Sequence, residues 1–200
     1  MQYYTKEQYD SLTKNIPKRL SESYQLISTQ IYDYLISCSI SKNTIDILVN
    51  KGLIYQDKYS TINFINKERT WGERQVINTD ANARGIIANS RKDGFWWFTV
   101  CESKTDIVYI CEWAIDAISL FELNLINNKH ENAVYVSIGG STEQLAIDRL
   151  KKQRRVIMAV NNDSAGSQCR KCNRELECII PKSKDWNDDL KTKRAFMLSI

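Results

Sequence analysis

Histidine is nearly absent from this chain: His130 is the only one in 200 residues. That scarcity works against a structural zinc site, which normally takes four nitrogen or sulfur ligands. Cys169-Arg-Lys-Cys172, with Cys178 beyond it, has the spacing of one ligand pair, but no second pair follows and the stretch reads as helix. No apolar run approaches the ~20 residues that span a bilayer. The N-terminus, Met1-Gln-Tyr-Tyr-Thr-Lys-Glu7, lacks the basic-then-apolar order of a secretory signal. A cytoplasmic protein without a membrane partner is the resulting expectation. Its six cysteines are then expected as reduced thiols, with Cys38, Cys101 and Cys111 as small core residues among apolar neighbours. Charge of one sign is also weak. A net +4 permits nucleic-acid binding without arguing for it. There is no internal repeat and no low-complexity linker.

What is present suits a globular chain. Hydrophobic residues make up 42% and aromatics 10%, enough for one domain or one domain with a smaller companion. Residues 1–50 read as helical. Thr5-Lys-Glu-Gln8 has a capping-box pattern, and Pro17 ends a first helix near Asn15. Tyr24, Ile27, Ile31, Tyr34 and Leu35 share a face of a longer helix over roughly 22–37. Ser41 is a fitting N-cap for a third helix with Ile45, Leu48 and Val49 inward, and Gly52 for its stop. A helical subdomain packed on the main body is favoured over a helix-turn-helix reader, because no strongly basic recognition face is evident. From 53 to 100 the pattern becomes a small, mostly antiparallel sheet, with Ile62, Phe64 and Val76 in strands, a turn at 78–82, and strands at 83–88 and 95–98. Trp96 and Trp97 are candidates for base stacking, but neighbours in a strand face opposite sides, so at least one belongs to the core.

From residue 107 the order is strand, helix, strand, helix. Strands are expected at 107–111, 133–137, 155–160 and 177–180, with helices at 114–128, 142–152 and after Ser164. This alternation predicts an α/β fold with a parallel sheet and helical crossovers. The composition shift near 104 divides the chain into 1–103 and 104–200. Two apolar strands end in acidic or amide side chains: Ile107-Val-Tyr-Ile-Cys-Glu112, followed at once by a helix with Asp116, and Arg155-Val-Ile-Met-Ala-Val160, followed by Asn161-Asn-Asp163. Carboxyl ends of parallel strands are where α/β sheets place their sites. The acidic set is Glu112, Asp116, Asp163, Asp185, Asp188 and Asp189. Hard oxygen ligands of this kind suit Mg²⁺, which takes one or two carboxylates, waters and a phosphate. Gly139-Gly140 offers either a close backbone approach to phosphate or a tight turn. The basic run Lys151, Lys152, Arg154 and Arg155, with Arg170, Lys171 and Arg174, offers backbone contacts to nucleic acid or a solvated helix end.

Glu112-Trp-Ala-Ile-Asp116, Asn161-Asn-Asp163-Ser-Ala-Gly166 and Lys184-Asp-Trp-Asn-Asp188 resemble the ordered motifs of a Toprim (topoisomerase–primase) domain. The resemblance is nearest to primase-like Toprim proteins of bacterial mobile elements and phages. It extends upstream through Tyr34–Ile45, similar to the helical opening of the primase core, and Ala83-Arg84-Gly85, similar to an Arg-bearing strand that meets template. In all it covers about residues 30–190. The resemblance implies a Toprim-like parallel sheet with flanking helices, preceded by a helical and small-sheet subdomain. It implies Glu112 as general acid/base or metal-linked group, Asp163 as a ligand of Mg²⁺ or Mn²⁺, and Asp116 and Asp185 as acidic groups near the metal. Arg84 would face nucleic acid, DNA or RNA, and a replication protein is an implied partner. The implied activity is primase-like nucleotidyl transfer or nuclease cleavage. Neither a zinc-binding module nor a strand-passage domain is expected within these residues.

One position departs from the family pattern. Asn161 stands where the first Asp of Asp-x-Asp belongs, and an amide oxygen brings no charge to a cation. An attenuated enzyme, or a catalytically inactive scaffold that binds nucleic acid or a replication partner, is the implied consequence.

Overall fold

The computed structural model describes residues 28–57, 61–77, 83–100, 105–129, 132–153 and 155–199. The expected helix before Pro17, the turn at 78–82, Cys101 and Arg154 lie outside the described residues. So do the first turns of the helix expected over 22–37, whose described part is α1, Thr29–Ser37, with Ile31 and Leu35 buried. Helix α2, Lys42–Asn50, begins as its sequence dictates. The Ser41 side chain accepts from the Thr44 amide, and Thr44, Ile45 and Leu48 face inward. Gly52, at φ +65°, turns the chain out of the helix.

Four short strands then form an antiparallel sheet in sequence order: β1 Ile54–Gln56, β2 Thr61–Ile65, β3 Gly72–Val76 and β4 Arg84–Ile86. Period-2 alternation sets its two faces. Ile54, Phe64, Glu73 and Ile86 fall in one cross-strand row, and Tyr55, Asn63, Arg74 and Gly85 in the row on the other side. Glu73 is therefore carried inward by the register that also carries Phe64.

The strand expected next in that small sheet belongs elsewhere. β5, Trp96–Phe98, pairs antiparallel with β7, Ala133–Ser137, in a larger sheet. Its aromatic residues explain the choice. Trp96 and Phe98 are fully buried, lie 5.3 Å apart, and meet Phe64, Phe121 and Tyr135 at ring-centroid distances of 5.4–5.5 Å. Each such ring pair adds roughly 0.5–1.5 kcal/mol beyond its buried area, more than an extension of a small sheet offers. Base stacking by Trp96 is excluded by this burial, and Trp97 packs half-buried against the core on the other face of the large sheet.

The remaining elements follow the expected alternation: β6 Ile107–Cys111, α3 Ala114–Ile126, β7, α4 Gln144–Leu150, β8 Arg155–Met158, α5 Ser164–Cys172, β9 Glu177–Cys178 and α6 Trp186–Leu198. The large sheet has the order β5-β7-β6-β8-β9. Its β6–β7, β6–β8 and β8–β9 pairs are parallel, as the alternation predicts, and β5 adds one antiparallel edge strand. One face packs on α3, α6, α1, α2 and the small sheet through a single cluster running from Ile31 to Leu190. The opposite face packs on α4 and α5. Helices on both faces explain why β6 is apolar at every position.

Candidate acidic site at the carboxyl edge of the large sheet

Parallel strands β6, β7 and β8 all end at one edge. The ladder continues a step beyond them, with the Ala159 amide donating to the Ile110 carbonyl at 2.8 Å and the Ile138 amide to Cys111 at 3.2 Å. Glu112 follows β6 directly and is buried. Its Oε1 accepts from the Asn161 amide at 3.1 Å, which ties the first motif to the second. Burial is the main cause raising its pKa. The nearby Asp163 charge adds to that rise, while Asp163's opposites Arg84 and Arg170 work against it. Asp116, in the first turn of α3, is also buried, and its pKa lies well above the carboxylate range. Burial is again the first cause, with Asp185, Glu112 and Glu73 adding to it and Arg84 opposing.

Asp163 and Asp185 share one local device. Each N-caps a helix, Asp163 accepting from the Gly166 amide at 2.8 Å and Asp185 from the Asp188 amide at 2.9 Å. An Asp at the N-cap satisfies an orphan amide and answers the helix dipole. Asp189, meanwhile, accepts from the Lys182 and Ser183 amides and closes the loop before α6. The rest of the third motif is structural. Trp186 donates its indole N–H to the Ala159 carbonyl at 2.6 Å, and Asn187 donates to Cys38 and Ser119.

Asn161 is buried and its Oδ1 has no hydrogen-bond partner among the described residues; the same is true of Asp116 Oδ2. Buried polar oxygens without partners are rare and point to a missing cation or solvent partner. Arg170 reaches the Asn161 carbonyl at 2.8 Å and the Val160 carbonyl at 3.2 Å, holding this turn. Gly166 is required there, since a Cβ at that position would lie 2.1 Å from the Asn161 carbonyl oxygen. The Gly139-Gly140 pair is a tight turn: both amides donate to the Glu112 carbonyl, at 2.8 and 3.0 Å, and both residues have positive φ.

Among the described residues, no three His, Cys, Asp or Glu side chains converge as a metal cage. The donors still suit a hard cation, because Mg²⁺ needs only one or two carboxylates once waters and a substrate phosphate complete its shell. Glu112, Asp116, Asn161 and Asp163 offer oxygen donors, with one unit of charge fewer than an aspartate at 161 would bring. Cys169 is buried, while Cys172 and Cys178 are exposed.

The basic residues separate into two places. Arg84 lies at the acidic edge, exposed, its guanidinium 4.8 Å from the centre of the Trp113 ring. Lys151 and Arg155 lie at the opposite edge, since Arg155 begins β8 and pairs with Ile107 at the start of β6. Lys151 binds Glu175 at 2.6 Å and Arg155 binds Glu177 at 2.9 Å. Lys152, beside them, is exposed.

Sequence reading missed Glu73. It is buried on β3, accepts from the Ala114 amide at 2.7 Å through Oε1, and accepts from the Ser137 hydroxyl through Oε2. Burial pushes its pKa up to about 7 against the pull of those two donors and of Arg84. No motif marks it; only the inward register of Gly72–Val76 distinguishes it from an ordinary surface glutamate.

These features define a class of protein. Residues 109–190 match the family model described as Toprim-like, and that segment has the Toprim-like fold expected from its three motifs. The chain is 27% identical over 194 residues to an uncharacterized protein of Bacillus anthracis, with 80% of this chain and 56% of that protein covered. It thus spans about half the length of the curated relative it matches. Among solved structures, the primase fragment of the bacteriophage T7 primase-helicase is similar with a TM-score of 0.56 and 13% identity, over 82% of this chain and 72% of that one. The zinc-binding and RNA polymerase domains of the Aquifex aeolicus primase are similar with a TM-score of 0.53 and 13% identity, over 96% of this chain and 59% of that one. A chain from the T7 lagging-strand DNA polymerase complex with primase domains on an RNA/DNA hybrid has a TM-score of 0.52 at 14% identity, over 80% of this chain and 85% of that one. The small sheet and the large one together therefore have the primase-type arrangement. No described helix is long and apolar enough to cross a membrane.

Proposed function

We propose that this chain is a primase-like Toprim module that performs Mg²⁺- or Mn²⁺-dependent phosphoryl chemistry on nucleic acid, as nucleotidyl transfer or strand cleavage, at a site attenuated by Asn161. The observation that carries this reading is the pair of buried oxygens without partners, Asp116 Oδ2 and Asn161 Oδ1, beside Glu112 at the carboxyl edge of a Toprim-like sheet. Glu112, Asp116 and Asp163 are the catalytic acids in this reading, and Glu112, Asp163 and Asp185 the groups that answer the cation. The bound cation would orient a substrate phosphate and offset charge that develops during transfer. Arg84, stacked on Trp113 beside the acids, is assigned to a nucleic-acid phosphate. Lys151, Lys152 and Arg155, on the far edge, are assigned together with Arg154 to a separate backbone contact. Residues 1–103 then supply the nucleic-acid-facing small sheet and residues 104–200 the chemistry. Association with a replication protein is part of this reading, supported by the fold-level likeness to a T7 complex in which primase domains interact with a DNA polymerase.

The test measures nucleotide incorporation and strand cleavage with Mg²⁺ or Mn²⁺ for the wild type and Glu112→Gln. A positioned acid or base contributes roughly 10²–10⁴-fold, so Glu112→Gln is expected to lose at least the lower figure. Equal activity in both proteins rejects the assignment of Glu112. The missing charge at 161 favours one second reading, a scaffold that binds nucleic acid or a replication partner without turnover. Asn161→Asp separates the two. An active wild type that gains cation affinity in this variant supports the enzyme, whereas turnover that exists only in Asn161→Asp establishes the scaffold.

A further inference from the structure

We infer that Glu73 is a positioning residue for the acidic site, a carboxylate lent by the small sheet to fix the backbone that carries Glu112 and Asp116; this rests on the function proposed above. Helix α3 begins at Ala114 behind Trp113, an N-cap residue whose side chain makes no capping hydrogen bond. The four first amides of a helix need partners from elsewhere. Glu73 Oε1 supplies one at 2.7 Å, from 41 residues away in the chain. The same carboxylate takes the hydroxyl of Ser137, the last residue of β7. Ser137 Oγ also lies 3.2 Å from the Glu112 carbonyl. That carbonyl already accepts from the Gly139 and Gly140 amides, so both its lone pairs are used and the serine hydrogen is best given to Glu73.

One side chain thus holds the start of α3 at the Ala114 amide and the end of β7 at Ser137, the residue paired with Cys111 just before Glu112. Asp116 stands in the first turn of the helix so capped. Among the described residues, the hydrogen bonds of the Glu73 carboxylate go to Ala114 and Ser137 and not to the proposed cation donors. The bland alternative is a helix cap that happens to be distant. It predicts lost stability and unaltered catalysis, whereas a brace predicts lost turnover in a protein that still folds and still binds substrate.

Glu73→Gln preserves the acceptor for Ala114 but turns an amide donor on Ser137 or loses that contact. Ser137→Ala removes the second bond alone and changes little volume. Both variants are compared with wild type by circular dichroism, by kcat and KM for the Mn²⁺-dependent reaction, and by the amide ¹H shift of Ala114. Groups that orient a site from behind typically cost roughly 10–100-fold when removed. We expect kcat to fall within that range in Glu73→Gln, and in the same direction in Ser137→Ala, with KM held within about twofold. At pH 8, where Glu73 is ionised, the Ala114 amide should move upfield in Glu73→Gln as it loses a charged acceptor. Unchanged kcat in both variants overturns the inference, as does a fall matched by an equal rise in KM. Should the wild type show no turnover, the proposed function fails by itself. The Ala114 shift in Ser137→Ala, which leaves the Glu73–Ala114 bond in place, then decides the brace: an unmoved amide in that folded variant leaves only a cap and overturns it, and a moved one upholds it.

Discussion

At the scale of single residues, the acidic edge is built from carboxyls held out of water, and this sets a pH dependence. Glu73 holds its proton in the folded chain up to about 7, whereas an unfolded glutamate releases it near ~4.3. The native state therefore binds more protons in between, and stability must fall as pH rises through that window. The contribution is complete below the unfolded value and gone above about 7, and it is on the order of 3 kcal/mol at most. Glu112 and Asp116 shift in the same direction. In chelator, wild type should melt at a lower temperature at pH 8 than at pH 5, and Glu73→Gln should show a smaller difference. A wild type that gains stability from pH 5 to 8 contradicts this. Gly166 gives a second prediction. A methyl there would sit 2.1 Å from a backbone oxygen that also belongs to the Asn161 turn. Gly166→Ala should cost about 2 kcal/mol or more by forcing that turn apart, read from urea unfolding, and should disturb Glu112, whose Oε1 is 3.2 Å from the same point.

At the scale of elements, helix ends join the two parts of the molecule. Ser41 caps α2, and its amide and hydroxyl both donate to Glu122 Oε1 of α3, at 2.9 and 2.6 Å. Glu122 Oε2 takes Arg194 of α6 at 2.6 Å. Three helices thus converge on one buried carboxylate. Asn187, at the start of α6, makes a parallel link by donating to Cys38 after α1 and to Ser119 in α3. Removing a buried donor strands its acceptors at roughly 1–3 kcal/mol. Asn187→Ala is expected to lose that much in a denaturant titration, and a loss under ~0.5 kcal/mol, the scatter of neutral surface changes, would show that the link is dispensable. In the third motif, Asp185-Trp-Asn187, the Trp and Asn form a joint between elements and only the Asp stands near the acids.

At the scale of the whole molecule, the small sheet and the large sheet share one hydrophobic cluster. β5 precedes residue 104 in sequence but forms an edge of the large sheet, and Trp96 donates its indole N–H to Leu53 at 3.1 Å. A fragment of residues 104–200 would lose the Trp96 and Phe98 rings from its core and the Glu73 cap from α3. It should show no cooperative melt, while the whole chain unfolds in a single transition by both circular dichroism and tryptophan fluorescence. Two separated transitions in the whole chain would show that the parts are energetically independent. The placement of Arg84 at the acidic edge adds a prediction of the same scale. Arg84→Ala should weaken nucleic-acid binding at all sequences alike and lower the salt slope by about one.

Local sequence determined a good deal: the Ser41 cap, the period-2 strands, and the strand–helix alternation after residue 107. It also put Glu112 and Asp163 at strand ends, because strand direction alone delivers whatever follows an apolar run to the carboxyl edge. Tertiary structure decided what no spacing encodes. The β5 strand chose its sheet by where two large rings could be buried, not by its neighbours in the chain. Glu73 entered the site through the register of a different sheet, where a carboxylate that looks like a surface group meets a helix lacking its own cap. Lys151 and Arg155 stand at the edge opposite the acids, beside Glu175 and Glu177, because strand direction puts them there. Pattern fixes which face and which end a side chain takes, since those follow from the geometry of one element. Which elements then meet depends on buried area and unsatisfied polar groups summed over the whole chain, and that sum is settled only on folding.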